Sequence, residues 1–239
     1  MRAIFIADAH LRQPQDYNYQ HLLEFLDRQQ DLDGLFLLGD IFEFWLGYKH
    51  LVFSAYIPLL EKLRQLSEAG TQLYFVEGNH DFHLGPYFTE TLKCTLITDQ
   101  QRVDWDGRKL LLSHGDLLNP SKNYQRLRRF WRSAPIHFLS RIIHPDPVWA
   151  LAIWLSDQSR KKKSNNGSWD PSPLLRTYAE TELARSADTI LCGHFHQPLM
   201  SEYQGKQIVS VGDWIEQFSY AEMIDGKIEL KSYPAETVS

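Results

Sequence analysis

Five apolar runs in this chain each break off into a polar cluster of Asp, His or Asn: Asp8-Ala9-His10, Gly39-Asp40, Gly78-Asn79-His80-Asp81, Ser113-His114-Gly115-Asp116 and Gly193-His194-Phe195-His196. No other feature constrains the fold as tightly. Runs such as Ala3-Ile4-Phe5-Ile6-Ala7 and Leu73-Tyr74-Phe75-Val76 are continuous rather than alternating, the pattern of strands buried on both faces beneath helices. In an open sheet the carboxyl ends of the strands line the ligand crevice. Groups spread over almost 190 residues can therefore meet at one end of a sheet.

The order of the remaining patterns agrees. A strand at Ala3–Ala7, an amphipathic helix around His21–Gln29 with Leu22, Leu23, Phe25 and Leu26 inward, and a strand at Gly34–Leu38 are predicted to form a βαβ unit. A second helix is predicted from about Val52 to Ala69, with Gly70 as its C-cap, followed by a strand at Leu73–Val76. Asp106-Gly107 inside Arg102–Ser113 and Asp225-Gly226 inside Tyr220–Tyr233 are short-hairpin signals, and Thr189–Cys192 and Gln207–Val211 are short apolar strands. The expected class is α/β, a β-sandwich flanked by helices. Between 120 and 185 the strands stop and helical patterns take over, punctuated by Pro135, Pro145, Pro147, Pro171 and Pro173. We expect a single domain spanning 1–239 with a helical cap inserted at 120–185.

Composition excludes several classes. A chain of 239 residues builds one substantial core, and 43% hydrophobic with 23% charged residues is neither disordered nor collagenous. No apolar run approaches the roughly 18–20 residues that cross a bilayer, and Met1-Arg2 leads straight into the first strand without a signal-peptide pattern, so the expected location is the cytoplasm. The two cysteines, Cys94 and Cys192, lie outside any CxxC spacing, which argues against a disulfide framework or a thiolate zinc site and for buried reduced thiols. The net charge of −5 conceals an asymmetry: residues 121–165 hold ten Lys or Arg against Asp146 and Asp157, a surplus of eight, leaving −13 on the rest.

Imidazoles together with carboxylates suit borderline divalent ions. The clusters offer seven ligands, more than one ion needs. Two ions sharing one carboxylate use them all, and a pair roughly 3.5–4 Å apart can acidify a water and clamp a phosphoryl oxygen. Phosphoester hydrolysis is the natural reaction of such a centre.

The ordered set DxH, GD, GNHD, HGD and GHxH, running from Asp8 to His196, resembles the calcineurin-like metallophosphoesterases. The resemblance implies a metallophosphoesterase-type β-sandwich holding two divalent metal ions, commonly manganese, iron or zinc, with manganese the first expectation. It puts Asp8, His10 and His196 on one ion, Asn79, His114 and His194 on the other, and Asp40 between them. His80 is left as the catalytic general acid or phosphoryl donor, with Asp81 expected to orient its ring and Asp116 to support the loop holding His114. His21, His50, His83, His137 and His144 lack the strand-end setting and read as packing or surface residues, with His83 the nearest to the motifs.

In the insertion, Leu127, Phe130, Trp131, Ala134 and Phe138 recur at helical spacing, with Arg126, Arg128, Arg129 and Arg132 among or opposite them. One reading is a helix that packs its apolar stripe and exposes a solvated basic face. The other joins it to the run from Trp149 to Leu155, as a surface that lies in a membrane interface or covers acyl chains. Nucleic acid ranks lower as a partner, because an apolar patch calls for lipid or protein.

The stretches Phe5–Asp8, Leu38–Gly47 and Asn79–Gly85, and His114-Gly115-Asp116 followed by Tyr124-Gln125, also resemble a narrower branch, the UDP-2,3-diacylglucosamine pyrophosphohydrolases of lipid A synthesis. That resemblance implies a nucleotide-linked lipid substrate split into UMP and 2,3-diacylglucosamine 1-phosphate, with the insertion receiving the acyl chains. It implies substrate contacts at Asn79, His80, Tyr124, Ser159 and Lys163, and peripheral contact with the inner face of the membrane. One residue departs: His80 stands where many members of that branch carry Arg, and an imidazole does not reproduce an arginine contact to a diphosphate. The alternatives are a metallophosphoesterase for another nucleotide or phosphodiester, and a non-catalytic scaffold of the same fold.

Overall fold

The computed structural model describes residues 1–118, 121–140, 144, 146–151, 153–154 and 170–234. Strands β1 (Arg2–Ile6), β2 (Gly34–Leu37) and β3 (Gln72–Val76) alternate with helices α1 (Tyr17–Asp27) and α2 (Ile57–Glu68) and pair in parallel. The short β4 (Thr95–Ile97) extends this sheet on one side. The hairpin of β10 (Ser219–Ile224) and β11 (Lys227–Ser232) closes the other, in the order β11-β10-β1-β2-β3-β4. The second sheet has the order β5-β6-β7-β9-β8, built from β5 (Gln100–Trp105), β6 (Arg108–Ser113), β7 (Thr189–Cys192), β8 (Leu199–Tyr203) and β9 (Lys206–Ser210). At its centre β6, β7 and β9 run parallel.

The inner strands are largely apolar because both their faces are covered. Phe5, Phe36 and Val76 of the first sheet meet Leu110, Leu112, Leu191 and Val209 of the second between the sheets. The alternate residues Ile4, Ile6, Leu35 and Leu37 pack under Leu22, Phe25 and Leu26 of α1 and Leu59, Leu60 and Leu63 of α2, whose spacing lines up one helical stripe. On the outer face of the second sheet Leu111, Ile190 and Ile208 are covered by Leu175, Tyr178 and Ala179 of the helix Ser172–Ala179. The result is helix, sheet, sheet, helix. It places the carboxyl ends of β1, β2, β3, β6, β7 and β9 at one edge of the sandwich.

Both expected hairpin turns are present, with Asp106 and Gly107 at φ 49° and 75° and Asp225 and Gly226 at φ 48° and 77°. A third, Gln204-Gly205 at φ 50° and 75°, joins β8 to β9. It escapes the sequence reading because Gln is a poor marker of a left-handed turn and β8 is a half-exposed edge strand.

Between Ser113 and Thr189 the described residues contain no strand. They include α3 (Lys122–Trp131), α4 (Ala134–Ser140) and helical backbone at 146–151. The last part of that stretch, the helix Ser172–Ala179, is a layer of the sandwich itself. Among the described residues no helix is long and apolar enough to cross a membrane.

Of the two readings of α3, the one with a buried apolar stripe and a solvated basic face is reversed. Leu127, Phe130 and Trp131 are 55%, 54% and 40% exposed, whereas the side chains of Arg128 and Arg132 are only 9% and 10% exposed. The body that α3 faces offers buried carboxylates, so the guanidinium groups turn inward.

Candidate metal centre

Each strand end delivers its polar cluster to the same edge. Asp8 and His10 follow β1, Asp40 follows β2, Asn79 and His80 follow β3, His114 follows β6, and His194 and His196 follow β7. The donor atoms converge in three overlapping triads: Asp8 with His10 and His196, Asp40 with His114 and His194, and His10 with Asp40 and His80. Asp40 Oδ2 stands 3.7 Å from His10 Nε2 and 3.4 Å from His114 Nε2, between the first two sets. Asn79 Oδ1 lies 3.2 Å from the same His114 nitrogen.

Backbone strain marks the site. Asp8, His10, Asp40, His194 and His196 all adopt positive φ, between 45° and 70°, a region that costs a non-glycine residue about 1–3 kcal/mol. Such angles turn the chain sharply off each strand and aim the side chain back across the sheet edge. Glycines allow the loops to close: a Cβ on Gly78 would sit 2.2 Å from an Asp40 carboxylate oxygen, and one on Gly193 would sit 2.7 Å from an Asp8 oxygen.

The surroundings set ring orientation. His114 Nδ1 lies 2.8 Å from the Leu38 carbonyl, which can only accept, so this nitrogen donates and Nε2 faces Asp40. His80 donates from Nδ1 to the Glu43 carbonyl at 2.9 Å by the same logic. Asp81 does not orient the His80 ring, contrary to expectation. Its carboxylate accepts from the amides of Asp40, Ile41, Phe42 and Gly78 at 2.7–3.1 Å, fixing the loop that carries Asp40. Asp116 likewise pairs with Arg128 Nε at 2.5 Å, anchoring α3 beside the His114 loop.

The electrostatics suit a cation. Burial raises the Asp8 carboxyl to about 6, and its Oδ1 is buried without a hydrogen-bond partner among the described residues, 3.6 Å from His196 Nε2. Burial also works against the charge of Asp40, but the imidazoles of His114, His80 and His10 hold its carboxyl well below the usual range. His114 shows the converse: burial disfavours its imidazolium, yet Asp40, Asp8 and Asp116 raise it to about 10. An orphaned carboxylate oxygen, a shared second carboxylate and a ring that takes up a proton to balance them are what residues arranged for divalent cations present in their absence. The donor set fits the metal the fold implies.

Residues 1–198 match the family model for calcineurin-like phosphoesterase, most of the chain's length. The chain belongs to the calcineurin-like phosphoesterase family. This is a family of metal-dependent phosphoesterases. A UDP-2,3-diacylglucosamine hydrolase of Ectopseudomonas mendocina is 31% identical to this phosphoesterase over 240 residues, covering 94% of each chain. The protein of the same name from Shewanella oneidensis is 31% identical over 244 residues, covering 99% of this chain and 100% of that one. Among solved structures, vacuolar protein sorting 29 of Cryptosporidium parvum shares 14% identity and a TM-score of 0.47, over 96% of this chain and 95% of that one.

In this phosphoesterase the seven expected ligands and His80 come together, and Tyr124 joins them from α3 with its ring centroid 6.4 Å from that of His194. The Tyr124 hydroxyl is buried with no hydrogen-bond partner among the described residues. Ser159 and Lys163 lie outside the described residues. His83 is half-buried and contributes its carbonyl to Gly47 N at 2.9 Å.

Two residues of the site were not foreseen. Glu43, 1% exposed, brings its carboxylate within 3.9 Å of His10 Nδ1 and pairs with Arg12 at 3.2 Å. Asp213 lies 3.8 Å from His196 Nδ1. The signal for Asp213 was available: Gly212-Asp213 follows the apolar run Gln207–Val211 just as Gly39-Asp40 follows Gly34–Leu38.

Proposed function

We propose that this phosphoesterase hydrolyses the diphosphate of UDP-2,3-diacylglucosamine to UMP and 2,3-diacylglucosamine 1-phosphate, using two divalent ions, manganese first among them. The observation that carries the reading is the convergence of Asp8, His10 and His196 beside Asp40, His114 and His194, with Asp40 Oδ2 standing between the two sets at the carboxyl ends of the strands. Asp8, His10 and His196 would hold one ion and Asn79, His114 and His194 the other, with Asp40 shared between them. Bound there, the ions supply Lewis-acid polarisation of the phosphoryl oxygens and a hydrolytic water at neutral pH.

The chain's own residues do the rest. Leu38 and Glu43 carbonyls fix the His114 and His80 rings, and Asp81 fixes the loop under Asp40. His80, its Nδ1 held by the Glu43 carbonyl, would in its imidazolium form deliver the Nε2 proton to the leaving phosphate, or a hydrogen bond to a phosphoryl oxygen, and become neutral. Asn79, His80 and Tyr124 contact the substrate, together with Ser159 and Lys163 of the 120–185 cap.

Full-length relatives named UDP-2,3-diacylglucosamine hydrolase support the nucleotide-linked lipid. The outward apolar face of α3, with exposed Leu151 and Trp154, supports acyl chains and peripheral contact with the cytoplasmic face of a membrane. The test is phosphorus NMR of UDP-2,3-diacylglucosamine in detergent micelles with manganese-loaded protein, beside a chromogenic phosphodiester and an Asp40→Ala control. UMP appearing only with intact Asp40 is the expected result. Turnover of the chromogenic ester alone would keep the hydrolase and remove this substrate.

A further inference from the structure

Helix α3 is attached to the sandwich by polar groups. A surface helix ordinarily buries an apolar stripe, but α3 buries no residue fully and turns Leu127, Phe130 and Trp131 outward. Its inward residues are Gln125, Arg128 and Arg132, spaced three and four apart and so stacked on one face. Gln125 Nε2 donates to the carbonyls of Asp116 at 3.3 Å and Leu117 at 3.2 Å. Arg128 donates to the carboxylates of Asp116 at 2.5 Å and Asp99 at 2.7 Å. Arg132 donates from Nη1 to the Glu77 carboxylate at 3.0 Å and the Thr98 carbonyl at 2.9 Å, and from Nη2 to the Gly78 carbonyl at 2.7 Å.

Apart from those to Thr98 and Asp99 in the β4–β5 turn, these contacts end on two loops of the centre. Glu77-Gly78 runs directly into Asn79, and Asp116 follows His114 by two residues. Asn79 and His114, which touch each other at 3.2 Å, belong to the same half of the centre. Glu77 and Asp116 are 5% and 1% exposed, depths at which a carboxylate needs a charged partner. Without its arginine, each loop would have to shift to bring its carboxylate to water, carrying a ligand with it.

We propose that Gln125, Arg128 and Arg132 are positioning residues that couple the docking of α3 to occupancy of the Asn79–His114–His194 half of the metal centre. This rests on the two-ion reading above. An ion held there fixes the two loops and so pre-orders the acceptors that α3 needs. Linkage is reciprocal, so the factor that the clamp contributes to ion affinity is returned to helix docking. Tyr124, on the same helix, stands beside His194, so its placement follows the docking of α3.

The experiment uses the full chain and manganese alone, measuring stepwise binding by calorimetry and amide exchange over 122–131. The wild type is expected to bind two ions, the second slowing exchange across α3. Arg132→Gln is expected to weaken the second ion about 10-fold or more, leave the first unchanged and abolish the added protection. Arg132→Lys should restore only part, because one ammonium nitrogen does not reproduce the planar fork whose Nη1 and Nη2 hold these acceptors separately. Arg129→Gln, whose Nε reaches only the Gln125 carbonyl of its own helix, is the charge-matched control and should match wild type. Arg128→Gln tests the other arm independently, should Arg132→Gln fail to fold. Equal weakening of both ions, or loss of neither ion affinity nor protection, overturns the coupling. A wild type that binds fewer than two ions overturns the two-ion reading itself, and the coupling with it.

Discussion

The carboxylate of Asp81 lies under the backbone of Asp40, accepting the Asp40 amide at 2.9 Å while also taking those of Ile41 and Phe42 at 2.7 and 3.1 Å. Asp40, the proposed shared ligand, at φ 53°, is thus held from below by a residue on another strand end. Both oxygens are used, because Gly78 N donates to Oδ1 as well, at 3.0 Å. Asp81→Asn would place an NH2 group against one or more amides. We expect it to cost about 3 kcal/mol of stability, since buried donors left unsatisfied cost about 1–3 kcal/mol each. It should also lower metal stoichiometry. Thermal unfolding and metal analysis check this, and an unchanged melting temperature would refute it.

Gly78 is required for space. A Cβ there would lie 2.2 Å from Asp40 Oδ1 and 2.5 Å from Asp40 N, neither of which can retreat while bonded to its neighbours. Gly78→Ala should fold, with the sandwich core untouched, and bind fewer than two manganese ions. Full stoichiometry by equilibrium dialysis would contradict the steric account.

Asp213 should act on His196 as a carboxylate acts on a metal-ligating imidazole, fixing the ring from its far nitrogen at 3.8 Å. Its carboxyl is itself shifted: burial works to raise it, but the bond to His196 and the amides of Ile215, Glu216 and Gln217 hold it below the ordinary range. Asp213→Asn should weaken one ion by about 10- to 100-fold while the other is retained. Calorimetric titration separates the two steps, and uniform weakening would count against the assignment.

Protons compete with metal at His114. Its folded value in the metal-free chain, about 10, lies above the ordinary 6.5, so its proton stabilises that fold fully below pH 6.5, and the contribution is lost as pH rises through about 10. An ion needs the neutral ring, so metal affinity should climb over that same window, with protons released on binding. Titrations in two buffers of different ionisation enthalpy count those protons. Binding that is flat with pH across the window would remove His114 from the ligand set.

The thiols should be inert in the folded chain. Cys94 and Cys192 are buried, burial pushing the first up to about 12 and the second higher still. Because the thiolate is the nucleophile, maleimide at neutral pH should label neither until denaturant is added. Rapid labelling of the native chain would show that one of these sites opens.

Much of the site was legible from residue order alone. Strand-end motifs such as Asp8-Ala9-His10 and Gly193-His194-Phe195-His196 announce themselves because a buried strand is uniformly apolar and its exit is not. Asp213 carried the same signal and went unused. Glu43 carried none, since its place beside His10 depends on how the loop after β2 folds back. The β8–β9 hairpin was hidden by the weak turn residue Gln204.

The sequence by itself determined the order of β1 to β3 with their two helices, the α/β class, the two Asp-Gly turns and which strand ends carry polar clusters. These follow from side-chain periodicity and turn preference, which act over a few residues. Only the tertiary structure decided which way groups face. Periodicity puts Arg128 and Arg132 on one side of α3 and Leu127 and Trp131 toward another, but it cannot say which side meets the protein. That choice was made by Glu77, Asp99 and Asp116, brought from distant loops to lie beneath the helix. Asp81 followed the same rule, turning to four backbone amides because folding delivered more donors there than the His80 ring could offer.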